Sequence, residues 1–306
     1  MTISPSILID TNLPLPLFIR GKVRDSYGLG DQLLIIATDR ISVFDIVLPS
    51  GIPDKGSVLN QLSAFWFEKT KDIIPNHLIE VVDNTSSLDS CLPVASRFTY
   101  PDYLTRRSMV VKKAERINIE WVVRGYLTGS AWTEYIESGT VQGNPMPLDL
   151  QESQELPQPL FTPTTKAETG HDMPMSMDDV KEIVGEALTE DMKKKSLAVF
   201  TFAQEYARDR GIIIADTKME FGLDNNQLIL IDELLTPDSS RFWDAEQYRA
   251  GQSQPSYDKQ PVRDWTAQTG WNKEPPAPML PPEVIETTTK RYREAYQRLT
   301  GRELME

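Results

Sequence analysis

The sequence predicts an α+β fold, and three observations carry that prediction. Short apolar runs separated by turn residues crowd the first third of the chain, the pattern of antiparallel strands. Apolar residues at helical spacing occur in separate segments, near 57–71, 176–210 and 283–300, and do not alternate strictly with strands. A late stretch, IIIADTKMEFGLDNNQLILID (212–232), reads as a hairpin with charges set into apolar strands.

The 306 residues suffice for a large core and, by length, two domains. The 32 Lys+Arg against 45 Asp+Glu give −13, which argues against a general nucleic-acid or anionic-membrane surface while leaving room for a local basic pocket. The single Cys91 excludes an internal disulfide and suits a reducing compartment, where it reads as an inert small hydrophobe. The start, MTISPSILIDTNLP, has neither the basic opening nor the apolar run of a signal peptide, and no apolar stretch nears membrane-spanning length. A cytosolic protein is expected, with no membrane or nucleic-acid partner.

Residues 15–48 read as short strands, LPLFIRGK, VRDSY and then QLLIIATD after a turn at Gly28-Leu29-Gly30-Asp31. The segment 57–71 places Val58, Leu59, Leu62, Phe65 and Trp66 on one helical face, with Ser57 as its cap. LIEVVD and SMVVKKAE return to strand, and IEWVVRGYLTGSAWTEYIESG starts as a strand and turns helical from Ser130. Residues 140–176, rich in Pro, Gln, Thr and Ser, read as one long loop. Helices follow over 176–190 and 191–210, then the hairpin. Residues 251–283 are irregular, with Pro275, Pro276, Pro278, Pro281 and Pro282 near their end. A last helix over 283–300 carries Ile285, Tyr292, Tyr296 and Leu299.

In the hairpin, strand alternation puts Asp216, Lys218 and Glu220 on one face and Ile213, Ala215, Thr217 and Met219 on the other. Charges in a dry interior cost several kcal/mol each unless paired or bound. Glu220 and Asp232 meet across the hairpin most simply if its loop has an odd number of residues. A two-residue Asn225-Asn226 turn would put Asp232 on the opposite face unless a bulge intervenes. Two facing carboxylates beside a lysine suit Mg²⁺ on a nucleotide phosphate, the ion taking hard oxygen ligands and the ammonium neutralising the remainder. A solvated face with a surface ion pair fits the same pattern. The Pro turn, hydroxyls and Arg241 in ELLTPDSSRFWD (233–244) tilt the balance toward binding, since arginine suits bidentate phosphate or carboxylate contacts.

Other segments are weaker signals. RGKVRDSY (20–27) offers Gly21 for close backbone approach and Lys22 or Arg24 for charge, although it is no Walker motif and, taken by itself, a plain hairpin is the better reading. In VVKKAERINIEWVVRGYLTGS (110–130), Lys112 through Ala114 could present backbone to an adenine edge. Glu120, Arg124 and Ser130 line the same wall, Arg124 and Ser130 with the groups that hold a phosphate monoester; a charged strand edge is the alternative. Lys166, His171 and Asp172 lie in the long loop, where His beside Asp is commonly surface decoration, and His77 reads as structural. Two histidines and one cysteine make a zinc site of the usual ligands untenable, and no GxSxG nucleophile motif is present.

Taken together, GKVRDSY, ATDRISVFD, IPDKG, VVRGYLTGSAW, FTPTTKAE, DTKMEFG, DELLTPDSSRFW and DKQPVRDW resemble the SAICAR synthetase family of purine biosynthesis, in family order from about 20 to 265. The length and the 140–175 segment resemble the longer form of that family. The resemblance implies an N-terminal antiparallel domain (1–113) and a larger α+β, ATP-grasp-like domain (114–306) with ATP in the cleft between them. It implies a monomeric ATP-dependent ligase that joins L-aspartate to carboxyaminoimidazole ribonucleotide (CAIR) through an acyl phosphate. It places Gly21, Lys22 and Arg24 at the ATP phosphates, Lys112 and Ala114 at adenine, and Glu220 and Asp232 on Mg²⁺. Lys218 falls near the transferred phosphoryl. Arg124, Ser130 and Arg241 fall at the CAIR phosphate and Asp216 and Asp238 at its base and ribose, with Glu120 on the same wall. Lys166 and Asp172 would close over the site, and Asp39, Arg40 and Ser42 lie toward the aspartate pocket. Two other classes share parts of this pattern: a small-molecule kinase, which would form ADP without aspartate, and a nucleotide-binding regulatory module, which would bind ATP without turnover.

Overall fold

Strands β1 (Leu17–Arg20), β2 (Arg24–Leu29) and β3 (Gln32–Ala37) form an antiparallel meander in the computed structural model, which describes residues 7–166 and 173–304. A small hairpin follows, β4 (Arg40–Val43) and β5 (Ile46–Gly51), turning through Phe44 and Asp45, both at positive φ. Helix α1 (Lys55–Thr70) covers one face, and β6 (Leu78–Val81) and β7 (Ser108–Lys112) complete a sheet ordered β1-β2-β3-β7-β6. Alternation is clean in β2: Asp25, Tyr27 and Leu29 are buried while their neighbours are half-exposed.

The second sheet begins two residues later with β8 (Glu115–Tyr126), which runs into α2 (Ser130–Ser138) and the short strands β9 (Thr140–Val141) and β10 (Asn144–Pro145). Next come β11 (Glu155–Phe161), β12 (Thr164–Thr165), α3 (Met177–Val184), α4 (Glu186–Arg208) and the hairpin β13 (Ile212–Asp224) and β14 (Gln227–Ile231). The chain ends through β15 (Ser240–Asp244), α5 (Gln260–Gln268) and α6 (Pro282–Thr300). The sheet order is β11-β8-β13-β14, with β12 also on β8 and β15 on β13. Every ladder between these strands is antiparallel. The α+β class with antiparallel sheets therefore stands. The main core draws on both sheets, with Ile35, Met109 and Val111 from the first, Ile119, Trp121 and Phe221 from the second, and α1, α4 and α6 between and around them. No helix among the described residues is long and apolar enough to cross a membrane.

Several local expectations are corrected. Helix α1 starts at Lys55, with Asp54 and not Ser57 at its N-cap, because Asp54 adopts a left-handed φ and is held by Arg293. The break between α3 and α4 falls at Gly185 (φ 83), where glycine tolerates the conformation, and not near residue 190. Helix α3 opens on a capping box between Ser176 and Asp179. The 140–176 segment is not one loop: β11 and β12 pair with β8, and the prolines of β11 are tolerated because it lies at a sheet edge. Helix α5 breaks up the region read as irregular.

In β13 the pairing with β15 is irregular between Ile214 and Asp216. The inserted residue swaps the alternation, so Ile212 and Ile214 enter the main core together with Met219 and Phe221. Ile213 and Ala215, expected beside Met219, pack instead with Tyr126 and Trp243.

Candidate active site

The hairpin turn is the two-residue kind. Asp224 pairs with Gln227, and Asn225 and Asn226 both adopt positive φ (51 and 63), a conformation that asparagine accepts more readily than most residues. Alternation alone would then send Asp232 to the wrong side. Asp232 instead lies just past β14 with φ 66, which ends the strand geometry, and its carboxylate reaches Glu220. The two carboxyl groups are in contact, that of Glu220 buried and that of Asp232 partly exposed. Burial and then the Asp232 charge push Glu220 up to about 7. Burial works against the Asp232 charge too, yet Arg24, Lys166 and Lys218 hold its carboxyl well below the usual range.

The charged face of β13 meets that of β8 residue by residue: Asp216 opposite Arg124, Lys218 opposite Val122, Glu220 opposite Glu120. Two glutamates facing each other repel unless cations intervene. Lys218 Nζ donates to Glu120 Oε1 at 2.6 Å, and Lys166 pairs with Glu220 and approaches Glu120 at 3.8 Å. Lys166 is thus brought into the site from beside β12. Burial opposes the Lys218 charge, but Glu120 and Glu220 raise its pKa overall.

One turn of the sheet away, Arg124 Nη1 donates to Asp216 Oδ2 at 3.0 Å, and Arg241, opposite Asp216 on β15, pairs with the same oxygen. Arg124 also donates from Nε to Thr162 Oγ1 at 2.9 Å and reaches Ser130 Oγ at 3.4 Å. Burial, despite Asp216, and the neighbouring Arg241 lower the Arg124 pKa. Two guanidiniums on one carboxylate leave donors available to an anion. Gly129 makes room for them: with φ 59, a Cβ there would stand 2.2 Å from Arg241 Nη2.

From the first sheet, Arg24 crosses to the same acidic cluster, with Nη2 2.7 Å from Asp232 Oδ2 and Nη1 2.9 Å from Glu233 Oε2. Gly21 N donates to Arg24 O at 2.7 Å, and a Cβ at Gly21 would meet that oxygen at 3.0 Å. Lys22 is exposed and paired with Asp45. Lys112 N donates to His77 O at 2.8 Å, its side chain lies 2.9 Å from Asp224, and Ala114 sits in the link between the sheets against Gly222.

Other predicted residues stand apart from this cluster. Asp39 is buried, accepting from Leu8 N, Gly56 N and Arg107 Nη1 at 2.8, 2.9 and 3.0 Å. Arg40 spends its guanidinium on Asp25 and on the carbonyls of Ile9, Gly21 and Lys22, bracing the Gly21 turn from behind. Ser42 lies on the β4–β5 hairpin. Asp172 falls outside the described residues.

Asp238 lies in a second charged cluster whose other members, Lys55, Lys259 and Arg263, the sequence reading left without a role. Lys55 Nζ donates to its Oδ2 at 2.7 Å, and Tyr292 Oη to its Oδ1 at 2.6 Å. Burial works against the charge of Asp238, but Lys55 and Lys259 outweigh it and lower the pKa. Lys259 is half-buried beside Asp238 and Arg263, and the loss of solvent there lowers its pKa to about 8. The signals for Lys55, Lys259 and Arg263 were the lysine of IPDKG and the two cations of DKQPVRDW.

Among the described residues, no group of three or more His, Cys, Asp and Glu side chains is placed to hold a metal ion. The Glu220–Asp232 pair nevertheless fits a divalent cation: hard oxygen donors, in contact, with one carboxyl destabilised as an anion until further positive charge arrives. Such an ion needs its remaining ligands from phosphate or water.

A family model for SAICAR synthetase matches residues 17–278. A phosphoribosylaminoimidazole-succinocarboxamide synthase of Thermodesulfovibrio yellowstonii is 50% identical over 297 residues, covering 97% of this chain and 99% of that one. One from Syntrophobacter fumaroxidans is 48% identical, with 98% of each chain covered. Among solved structures, the SAICAR synthase of Saccharomyces cerevisiae complexed with SAICAR superposes with a TM-score of 0.87 at 42% identity, over 98% of this chain and 100% of that one. A type-2 SAICAR synthetase in complex with ADP shares the fold, with a TM-score of 0.69 at 24% identity over 94% and 99% of the two chains.

Proposed function

The chain belongs to the SAICAR synthetase family, ligases of purine biosynthesis, and from that premise we propose that it joins L-aspartate to the carboxylate of CAIR at the expense of ATP, through an acyl phosphate. The contact between Glu220 and Asp232, ringed by Arg24, Lys166 and Lys218, supports this reading most directly.

A carboxylate is a poor acyl donor because its leaving group would be oxide. In the proposed sequence a CAIR carboxylate oxygen attacks the γ-phosphorus and ADP leaves. The aspartate amine then attacks the acyl carbon, a C–N bond forms, the C–O bond to phosphate breaks, and the amine gives up a proton. Little covalent work falls to the protein; it positions the reactants and neutralises phosphate charge.

Glu220 and Asp232 would hold Mg²⁺, which when bound neutralises phosphate oxygens and polarises the transferred group. Their present cationic partners are then free to turn to phosphate: Lys166 and Lys218 toward the transferred phosphoryl, Arg24 toward the polyphosphate. Lys22 and Gly21 take the outer side of the ATP phosphates, and Lys112 through Ala114 offer backbone to adenine where the sheets join, at the proposed boundary between residues 113 and 114. Arg124, Ser130 and Arg241 grip the CAIR phosphate. Asp216 orients the two guanidiniums and, with Asp238, faces the rest of the nucleotide. Lys55, Lys259 and Arg263 add charge on that side.

Phosphate release with CAIR, measured with and without L-aspartate, tests the reading. Release that depends on both substrates supports it. Stoichiometric ADP formation indifferent to aspartate would make the protein a kinase instead.

A further inference from the structure

The turn between β1 and β2 is held by its carbonyl oxygens. Arg40 donates from Nη2 to Gly21 O at 3.0 Å and from Nε to Lys22 O at 3.1 Å. Thr38 donates to Val23 O twice, from its N at 2.9 Å and its Oγ1 at 2.8 Å. Gly21 N closes the turn on Arg24 O at 2.7 Å. Four consecutive carbonyls are engaged.

A trans peptide unit points its C=O and its N–H in opposite directions. Two such units, Gly21–Lys22 and Lys22–Val23, aim their oxygens at Arg40. The amides of Lys22 and Val23 are therefore directed away from it. Neither amide has a hydrogen-bond partner among the described residues. Successive main-chain N–H groups left open in this way make a concavity that suits an anion.

Arg40 has nothing left over for a substrate. It is 6% exposed, and its Nη1 donates to Ile9 O at 2.7 Å and to Asp25 Oδ2 at 3.3 Å. Its Nη2 donates to Asp25 Oδ1 at 2.7 Å as well as to Gly21 O. All five N–H donors of the guanidinium thus have an acceptor. Asp25, fully buried, neutralises the charge and is itself fixed by Thr11 Oγ1 at 2.7 Å.

We propose that Arg40 is a positioning residue for ATP: by holding the carbonyls of Gly21 and Lys22 it turns the amides of Lys22 and Val23 toward the nucleotide phosphates. The inference rests on the reading that places the Gly21–Arg24 turn at those phosphates. It gives Arg40 a task behind the nucleotide in place of the aspartate pocket. A lysine could not do the same work, because its single ammonium lacks the planar fork that spans two carbonyls and a carboxylate.

Calorimetry on the full-length protein measures the affinities of ADP, adenosine and CAIR separately. Arg40→Lys keeps a charge beside Asp25 but loses the fork. It should weaken ADP about tenfold and change adenosine and CAIR by no more than about twofold. Unaltered ADP affinity in the folded variant overturns the proposal. Equal losses for ADP and adenosine, or for ADP and CAIR, overturn it too, since general loosening of the fold would produce them.

Gly21→Val separates the two layers, because a Cβ there would meet Arg24 O at 3.0 Å and the turn must open. If that variant binds ADP like the unaltered protein, the phosphate assignment falls and this inference with it. If it loses ADP while Arg40→Lys binds normally, only this inference falls.

Should Arg40→Lys not fold, Asp25→Asn takes its place. Both oxygens of Asp25 accept from Arg40, so an amide NH₂ on either side sets donor against donor and shifts the fork. ADP affinity should fall about threefold or more, with adenosine and CAIR unchanged. Normal ADP affinity in that variant overturns the proposal.

Discussion

Arg24 and Asp232, 208 residues apart in sequence, meet at 2.7 Å across the junction of the two sheets. The guanidinium also takes Glu233, so one cation from the first sheet neutralises two consecutive acids of the second. Asp232 and Glu233 more than offset the burial of Arg24 and raise its pKa further. The acidic site is thus held together by cations of its own, which in the proposed reaction would turn to the metal nucleotide.

Asp232→Asn should lower ATP-dependent turnover by about 100-fold or more, because a neutral amide is a poor ligand for a hard cation. Circular dichroism should show the fold intact. Steady-state kinetics at several Mg²⁺ concentrations checks this, and near-normal turnover would remove the metal assignment.

Arg241→Ala should raise the KM for CAIR about tenfold or more while leaving that for ATP nearly unchanged, since Arg241 pairs with Asp216, which it shares with Arg124, and not with the Glu220–Asp232 pair. Gly129→Ala should move in the same direction, because its Cβ would displace the Arg241 guanidinium and its φ of 59 suits glycine. A selective rise in the ATP KM in either variant would contradict the proposed phosphate site.

The Lys55–Asp238 pair is fully buried on the lysine side. Removing one partner leaves an uncompensated charge, so Lys55→Met should destabilise the protein by about 3 kcal/mol, within the range for broken buried pairs. Adding Asp238→Asn should restore part of that loss. Urea unfolding of the single and double variants measures both effects, and additivity would deny the coupling.

Lys259 predicts a pH dependence. Burial lowers its folded-state pKa from the usual 10.5 to about 8. Between those values the unfolded chain holds a proton that the folded protein has released, so this group's contribution to stability rises with pH from about 8 to 10.5. Unfolding of the unaltered protein and of Lys259→Met at pH 7.5 and 9.5 checks it: the advantage of the methionine variant should shrink at the higher pH.

Much of the local structure was legible in the sequence. The strands from 15 to 39, the strand-to-helix change at Ser130 and the last helix follow from apolar spacing and turn residues. The face shared by Asp216, Lys218 and Glu220 follows from the period of a strand. Errors arose where one residue breaks a period. The irregularity after Ile214 moved Ile213 and Ala215 out of the main core, and Gly185 split α3 from α4 earlier than expected. Edge pairing made strands of the proline-rich segment around residue 155, because a sheet edge does not require the missing N–H.

The sequence by itself determined the family motifs, the antiparallel α+β class and which hairpin residues share a face, since these depend on neighbours in the chain. Tertiary structure alone decided which charge meets which. It brought Arg24 to Asp232, Lys166 to Glu220 and Lys55 to Asp238, and it turned Asp39 and Arg40 inward to brace a loop. The physical reason is range. Periodicity and turn preference act over a few residues, whereas the energy of a buried charge is set by whichever distant segment is folded against it.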